Sequence, residues 1–316
     1  LCLFTLIKCS EGALVQKMFN NLFKKKNSEQ ETSRTNIQTT PLSGDQKPPV
    51  VQKAVPIHPV QFLAGSGQSN GLQRDHNEDT IVSISTLVAD DQNEMPFGIY
   101  IVADGMGGHI HGEAASKAAA RVVARYLIEQ VYYKLIDPVP APMDKSLQET
   151  MDGAFYEAQK AVQRFAPGGG TTLTCAMILG DQVTIGHVGD SRAYFLYPDG
   201  RSQRLSQDHT LVQRMVDMEE ITEEEALAHP SRNVLLRALG QSDPVRPDIQ
   251  THMIPKDGSI LLCSDGLWGV VSDTEMNQVV NSIADPSLAC NKLVELANKA
   301  GGPDNISVIL VRFLGV

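Results

Sequence analysis

This 316-residue chain has only five cysteines, and no two of them form a C-x-x-C pair. A secreted disulfide framework and a zinc site built on paired cysteines are therefore not indicated. Cys175 and Cys263 lie inside apolar runs, where a small buried core residue is expected. A reducing cytoplasm is the simplest compartment for such a protein.

Long hydrophobic segments are also missing. No run approaches the roughly 20 apolar residues that a membrane-spanning helix needs, so we predict no membrane span. The apolar opening from Leu1 to Ile7 is short and has no basic segment before it, which argues against a signal peptide. Because Met18 begins a more natural start, we interpret residues 1–17 as a translation-start artefact.

Positive charge is scarce, since 27 Lys and Arg face 37 Asp and Glu, for a net charge of −10. The balance is +4 in residues 1–60 and therefore −14 in residues 61–316. An acidic body argues against nucleic acid as a partner. It is compatible with a site rich in metal-binding carboxylates.

Several phosphate-handling motifs are absent. No cysteine is followed by arginine six positions later, which excludes the C-x5-R tyrosine phosphatases, and no D-x-D pair of the aspartyl-phosphate enzymes occurs. There is no G-x-x-x-x-G-K-[ST] loop. Gly65 and Gly67 begin a dinucleotide-type loop, but Asn70 stands where its last glycine belongs.

The residues that are present predict a tail followed by one domain. Residues 27–60 are polar and proline-rich, so we expect residues 1–60 to be a disordered tail and residues 61–316 to be a folded domain. Strands are predicted at 61–69, 79–87, 97–103, 171–179, 182–188, 191–197, 248–254, 259–263 and 306–313. Helices are predicted from residue 112, at 145–165, within 208–228, at 273–284 and at 287–300.

Strands and helices in this pattern come in clusters, which favours an α+β fold of antiparallel sheets with helical layers. The short Gly-Asp turns between residues 171 and 197 predict an antiparallel meander of three consecutive strands.

The stretch from Val102 to His109 shows the most distinctive chemistry. An apolar strand ends at Asp104, and Gly105 opens a glycine-rich turn. This arrangement holds a carboxylate rigidly at a sheet edge and lets backbone carbonyls approach a ligand closely. A hard metal ion fits there, but the stretch taken by itself favours a plain strand–turn–helix connection with a turn or capping aspartate.

The same pattern recurs along the chain, which strengthens the metal interpretation. Further acids stand at the ends of predicted strands, namely Glu78, Asp79, Asp190, Asp265 and Asp304. If they converge, their oxygens favour two Mg²⁺ or Mn²⁺ ions over Zn²⁺ or Cu²⁺. Arg74 suits a phosphate group, with a surface ion pair to Asp75 or Asp79 as the alternative.

Six motifs also carry a family resemblance: R-D-H-N-E-D at 74–79, D-G-M-G-G-H at 104–109, G-T-T-L at 170–173, G-D-S-R at 189–192, S-D-G-L-W at 264–268 and D-N-I at 304–306. In this order, over residues 61–314, they resemble the metal-dependent protein phosphatases (PPM, or PP2C-type) of the bacterial branch. The resemblance implies an α-β-β-α sandwich of two antiparallel sheets. It also implies hydrolysis of phosphoserine and phosphothreonine by direct attack of a hydroxide held by two Mn or Mg ions, without a phospho-enzyme.

The resemblance also implies roles for the individual residues. Asp104 bridges both ions, the Gly105 carbonyl binds one, and Asp265 and Asp304 hold the other. The remaining implied roles place Glu78 and Asp79 near the metals, Asp190 with Asp265 at a third and weaker metal site, Arg74 on the substrate phosphate, and residues 208–240 in a mobile flap.

Three positions depart from the family pattern. Met106 stands where some members have a histidine proposed as general acid, and the nearby His109 and His111 are open alternatives to loop or helix-start roles. Ser69 replaces the aspartate of T-D-x-G, and Gly269 replaces an acid that often follows Leu-Trp.

The expected partners are phosphorylated Ser/Thr proteins, including a cognate Ser/Thr kinase that the enzyme counteracts, with a monomeric chain in the cytoplasm. Two alternatives share the fold: a pseudophosphatase that serves as a scaffold, and a dedicated regulator of one phosphorylated antagonist protein. The presence of every implied metal ligand speaks against the scaffold.

Overall fold

Two five-stranded antiparallel sheets form the centre of the structure. The computed structural model describes residues 61–89, 94–108, 110–139, 142–241, 244–255 and 257–314. The first sheet has the order β1-β12-β11-β8-β9, and the second has the order β10-β7-β6-β3-β2. The first sheet contains β1 Gln61–Ser69, β8 Arg192–Leu196, β9 Ser202–Arg204, β11 Ser259–Cys263 and β12 Ile306–Leu314. The second contains β2 Thr80–Ala89, β3 Glu94–Ala103, β6 Leu173–Leu179, β7 Gln182–Val188 and β10 Asp248–Met253.

The described helices include those that cover the outer faces of both sheets. They are α1 Ile110–Leu127, α2 Tyr133–Ile136, α3 Leu147–Phe165, α4 Leu211–Asp217, α5 Glu223–Ala228, α6 Asp265–Trp268, α7 Asp273–Ser282 and α8 Pro286–Lys299, with a π-helical turn at Ile128–Tyr132 between α1 and α2. Helix α3 begins at a complete capping box, in which Ser146 and Glu149 satisfy each other's backbone N–H groups.

Three buried clusters divide the core into layers. One lies between the two sheets and contains Tyr100 and Ile178 from the second sheet and Phe195 and Ile309 from the first. A second lies between the second sheet and helices α1 and α3, and a third lies between the first sheet and helices α7 and α8. This layering is possible because alternate residues of a strand face opposite sides of its sheet. The predicted α-β-β-α sandwich is confirmed.

The predicted meander over residues 171–197 is wrong in its last strand. β6 pairs with β7, but β8 pairs with β11 and β9 and so belongs to the other sheet. The turn at Gly189 and Asp190 therefore carries the chain from one sheet to the other. A Gly-Asp turn has the same local chemistry in both situations, and only long-range pairing decides between them.

A small third pair of strands, β4 Gly105–Met106 and β5 Gly170–Thr171, lies beside the main sheets and was not predicted. Residues 1–60, which include the predicted tail and start site, lie outside the described residues. None of the described helices is long and apolar enough to cross a membrane.

Gly65 allows β1 to lie directly against α8, and this contact gives a test of the packing. A Cβ at this position would lie 2.3 Å from the backbone carbonyl carbon of Pro286, which cannot rotate away. We expect Gly65→Ala to destabilise the fold by about 2 kcal/mol, or roughly 4–8 °C in a domain of this size. Thermal unfolding by circular dichroism measures the change. Ser66→Ala, on the exposed face of the same strand, is the control, and equal melting temperatures for the two variants would contradict the packing.

Candidate metal centre

The predicted acidic residues lie at strand ends along one edge of the sandwich. In the second sheet Thr80 of β2 pairs with Ala103 of β3, and in the first Cys263 of β11 pairs with Val308 of β12. The residues just outside these pairs are Glu78 and Asp79 before β2, Asp104 after β3, Asp265 after β11 and Asp304 before β12. Asp190 lies on the crossover between β7 and β8. The structure therefore brings both sheets' acidic ends to the same edge.

The carboxylates are close enough to affect one another's ionisation. Burial raises the pKa of Asp104 well above its usual value, and the charges of Asp79, Asp265, Asp190 and Asp304 raise it further. Burial also raises the pKa of Asp79 to about 7 and that of Asp265 to about 6. The pKa of Asp190 is raised by burial and then by the charge of Asp265. Without cations, burial and mutual repulsion therefore disfavour the charged form of each of these acids.

Two carboxylate oxygens in the group lack any partner within the described part of the chain. Oδ1 of Asp79 and Oδ1 of Asp265 are buried and accept no hydrogen bond. Buried polar atoms normally have partners, and hard divalent cations prefer oxygen ligands. These oxygens therefore fit Mg²⁺ or Mn²⁺ and do not fit a sulfur- or imidazole-preferring metal.

The carboxylates interact electrostatically, but they are not arranged as a complete metal-coordination site. Among the residues that the structure describes, no three His, Cys, Asp or Glu side chains are grouped closely enough to hold a metal ion as they stand. Such an arrangement is expected from like charges, which approach one another fully only when a cation neutralises them.

The backbone of Asp104 is fastened on both sides by a pair of threonines. Its N–H donates to Oγ1 of Thr172 at 3.0 Å, and its carbonyl accepts from the Thr172 N–H at 2.8 Å and from the Thr171 hydroxyl at 2.9 Å. Thr172 Oγ1 in turn lies 2.8 Å from the Ser191 hydroxyl. This network holds the Asp104 carboxylate against the repulsion of its neighbours.

Gly105 is where the chain passes closest to two other segments. A Cβ there would lie 2.2 Å from the Gly112 carbonyl oxygen and 2.6 Å from that of Glu78. Only glycine allows this approach. It places the Gly105 backbone, the predicted carbonyl ligand, beside the predicted carboxylate residue Glu78.

Polar residues beside the acids hold Asp79 and Glu78 in place. The Ser264 hydroxyl donates to Oδ2 of Asp79 at 2.9 Å. Asn305 accepts from the Glu78 N–H at 2.8 Å and donates to the carbonyls of Asn70 and His76 at 3.0 and 2.8 Å. The loop before β2 is thereby tied to the residue that follows Asp304.

Arg74 lies at the rim of the site, and its ion-pair partner differs from both sequence alternatives. Its Nη2 donates to Oδ2 of Asp304 at 2.8 Å, whereas the sequence suggested Asp75 or Asp79. The Arg74 side chain is 56% exposed, so the guanidinium is reachable from solvent. A cation for phosphate oxygens therefore stands directly beside a predicted metal ligand.

The residues that depart from the family pattern have structural explanations. Met106 faces Gln241, whose side-chain amide lies 3.5 Å from the thioether sulfur, and a thioether has no proton to donate. His111 is exposed at the start of α1, and His109 lies outside the described residues. Ser69 replaces an aspartate without loss of the turn, because its Oγ accepts from the Gly71 N–H at 3.1 Å. Gly269 ends α6, where its N–H donates to the Asp265 carbonyl at 2.8 Å.

Sequence reasoning located the acids but assigned no role to the residues that position them. Thr172, Ser191, Ser264 and Asn305 all lie inside the quoted motifs, and the last three directly adjoin a predicted ligand, whereas Thr172 reaches Asp104 only through the fold. A small polar residue that adjoins a strand-end acid is the signal that could have found those three, because buried acids require such partners.

Comparisons with known proteins identify the family of the chain. The family profile of protein phosphatase 2C matches residues 67–299. The chain is 37% identical over 244 residues to the serine/threonine phosphatase stp of Listeria innocua, which covers 77% of this chain and 92% of that relative.

Solved structures give the same result. The S. agalactiae serine/threonine phosphatase superimposes with a TM-score of 0.66 at 28% identity, over 80% of this chain and 99% of that one. The catalytic domain of PstP, solved in complex with 2 manganese ions, superimposes with a TM-score of 0.63 at 30% identity, over 81% of this chain and 99% of that one.

The raised pKa values of the acids predict how Mn²⁺ changes thermal stability with pH. Between their usual pKa near 3.8 and the raised values of about 7 for Asp79 and about 6 for Asp265, the metal-free folded state binds more protons than the unfolded state. Its stability therefore falls as pH rises through this window. Bound Mn²⁺ removes the penalty on the ionised carboxylates, so the gain in melting temperature on adding Mn²⁺ should widen from about pH 5.5 to about pH 7.5.

Differential scanning fluorimetry with Mn²⁺ or with EDTA at equal ionic strength measures this gain. His187, whose pKa burial lowers to about 4, affects stability in the opposite direction, but it does so in both samples and cancels. A gain that stays constant or narrows with rising pH would contradict the assignment of the acids to the metal centre.

Proposed function

Because the chain belongs to the protein phosphatase 2C family, we propose that residues 61–316 form one phosphatase domain whose strand-end acids hold its two metal ions. The chain is a metal-dependent serine/threonine protein phosphatase. The observation that carries the site assignment is the enclosed group of carboxylates at one edge of both sheets, with two buried oxygens that lack a partner.

The proposed ligand roles are those that the family resemblance implies, and the location of these residues at one edge supports them. Asp104 interacts with the charges of Asp79, Asp265, Asp190 and Asp304, and it would bridge both ions. The Gly105 carbonyl would bind one ion, and Asp265 and Asp304 would hold the other. Glu78 and Asp79 would lie near these ions, and Asp190 with Asp265 would form a third, weaker position. When bound, the ions supply Lewis acidity and activate water for attack on phosphorus.

The remaining steps belong to the protein. Thr172 keeps Asp104 from moving while charge develops at phosphorus, because it holds both the N–H and the carbonyl of that residue. Arg74 would leave its ion pair with Asp304 and place its planar fork on the oxygens of the arriving phosphate. The arginine thus exchanges the Asp304 carboxylate for the substrate phosphate as its ion-pair partner.

The proposed substrates are proteins phosphorylated on serine or threonine, including a cognate Ser/Thr kinase whose action the enzyme reverses. We further propose that the chain acts as a monomer in the cytoplasm. The free, buried thiols of Cys175, Cys263 and Cys290 are compatible with a reducing compartment. A comparison of phosphoproteomes with and without the protein identifies the substrates, and an unchanged phosphoproteome would contradict a broad role.

Replacement of the bridging ligand tests the metal centre. Asp104→Asn keeps the shape of the side chain but removes its charge, so Mn²⁺-dependent hydrolysis of p-nitrophenyl phosphate should fall by at least about a thousandfold. The metal-free variant should melt at the same or a higher temperature than the wild type, because burial penalises the Asp104 carboxylate. Asp144→Asn, at an exposed ion pair, is the control. Hydrolysis by Asp104→Asn near the wild-type rate at saturating Mn²⁺ would overturn the assignment.

Replacement of Arg74 tests the phosphate-binding role. Arg74→Ala should lower kcat/KM for a phosphothreonine peptide by about 10–100-fold, as expected for the loss of a charge-assisted hydrogen bond to phosphate. Most of this change should appear in KM, and calorimetric Mn²⁺ binding should be unchanged or tighter because Asp304 is released. Arg201→Ala removes a comparable exposed ion pair and serves as the control. An unchanged KM, or weaker Mn²⁺ binding, would show that Arg74 serves only to hold Asp304.

A further inference from the structure

His209 joins the segment of residues 208–240 to the crossover that carries Asp190. Its backbone N–H donates to the Gly189 carbonyl at 2.7 Å, and its ring Nδ1 accepts from the Gly189 N–H at 3.2 Å. His209 thus forms hydrogen bonds with both the backbone N–H and the backbone carbonyl of Gly189. The side chain of His209 is only 4% exposed, so water does not compete for these bonds.

The other ring nitrogen of His209 reaches a second element. Because Nδ1 accepts a hydrogen bond, the ring proton is assigned to Nε2, which donates to Oδ2 of Asp248 at 3.0 Å. Oδ1 of Asp248 accepts from Arg237 at 2.9 Å, and the His209 carbonyl accepts from the Leu236 N–H at 2.7 Å. The start and the return of residues 208–240 therefore meet at this histidine.

The backbone at Gly189 has little room to move. Its φ is +111°, and a Cβ would lie 2.5 Å from the side chain of Thr172, the residue that fastens the Asp104 backbone. Asp190 follows directly in the chain. A shift of the Gly189 peptide would therefore move the Asp190 carboxylate.

A second connection holds the far side of Asp190. The Trp268 indole N–H donates to the Asp190 carbonyl at 3.0 Å, and the Arg192 guanidinium stacks 3.5 Å above the Trp268 ring. Arg192 in turn forms a bidentate ion pair with Asp208, the neighbour of His209. Asp190 thus lies between two connections, both of which begin at residues 208 and 209.

The body of this segment is far less constrained than its start. Helix α4 buries only Val212, and helix α5 buries no residue. A movement of the exposed helices can therefore affect the proposed metal centre only through the residues that anchor the segment. Among these residues, His209 contacts the crossover that carries Asp190.

We propose that His209 is a positioning residue that couples residues 208–240 to Asp190, and thereby sets the affinity of the weaker metal position formed by Asp190 and Asp265. This inference rests on the proposed function. His209 touches neither the substrate nor the proposed ligands themselves, and it acts through the Gly189 peptide.

Two substitutions separate positioning from general damage. The amide oxygen of His209→Asn lies where Nδ1 was and can still accept from the Gly189 N–H, whereas the longer side chain of His209→Gln places its amide near Nε2 and leaves that N–H without an acceptor. The matched control is His229→Gln, because His229 also accepts a backbone N–H at Nδ1, from Ser231 at 3.1 Å, but this bond lies within the loop after α5 and does not involve Gly189.

Mn²⁺ binding to the purified full chain is measured by isothermal titration calorimetry, with circular dichroism melts in EDTA. We expect His209→Gln to weaken the weaker class of sites by about 10–100-fold and to leave the tight class unchanged, as is usual when a residue that supports a ligand is lost. His209→Asn should stay within about threefold of the wild type, and His229→Gln should match the wild type.

Three results would overturn the inference: unchanged weak binding in His209→Gln, equal losses in His209→Gln and His209→Asn, or a parallel loss in both classes of sites. Hydrolysis of p-nitrophenyl phosphate by the wild type is recorded in parallel. Its absence would contradict the proposed function, whereas normal wild-type hydrolysis with one of these three results contradicts only the role of His209.

Discussion

The mutual repulsion of enclosed carboxylates is the constraint on which the rest of the structure depends. Asp104, Asp79, Asp265 and Asp190 each have a raised pKa because they are removed from water and because their neighbours carry the same charge. Such a group is unfavourable for folding by itself and becomes favourable when divalent cations enter it. Thr172 and Asn305 hold Asp104 and Glu78 through bonds to their backbone groups, and Ser264 donates to the Asp79 carboxylate.

The two-sheet architecture explains why these acids meet at all. They are far apart in the sequence, but antiparallel pairing brings the end of one strand beside the start of the next, and two stacked sheets bring two such edges together. The crossover at Gly189 and Asp190 joins these edges directly. Through His209 and Asp208, the segment that carries the exposed helices α4 and α5 is connected to this crossover and so to the proposed metal centre.

Much of this could be predicted from the sequence, and the failures have physical causes. Strand ends at Asp104 and Asp265 were recognisable because an apolar run stops abruptly at an acid beside glycine. The sheet membership of β8 was predicted wrongly, because a Gly-Asp turn has the same local chemistry within a hairpin and between two sheets. The Arg74–Asp304 pair was missed because the two residues lie 230 positions apart, and only the fold brings them within 2.8 Å. The supporting residues were missed because serine, threonine and asparagine beside an acid are also ordinary turn residues.

A crystal structure determined with Mn²⁺, using anomalous scattering to locate the metal, tests the central claim most directly. The account predicts two strong anomalous peaks between Asp104, Asp265 and Asp304, with Arg74 turned away from Asp304 when a phosphate analogue is present. An active enzyme whose crystals, at saturating Mn²⁺, show no anomalous peak at these carboxylates would contradict the account.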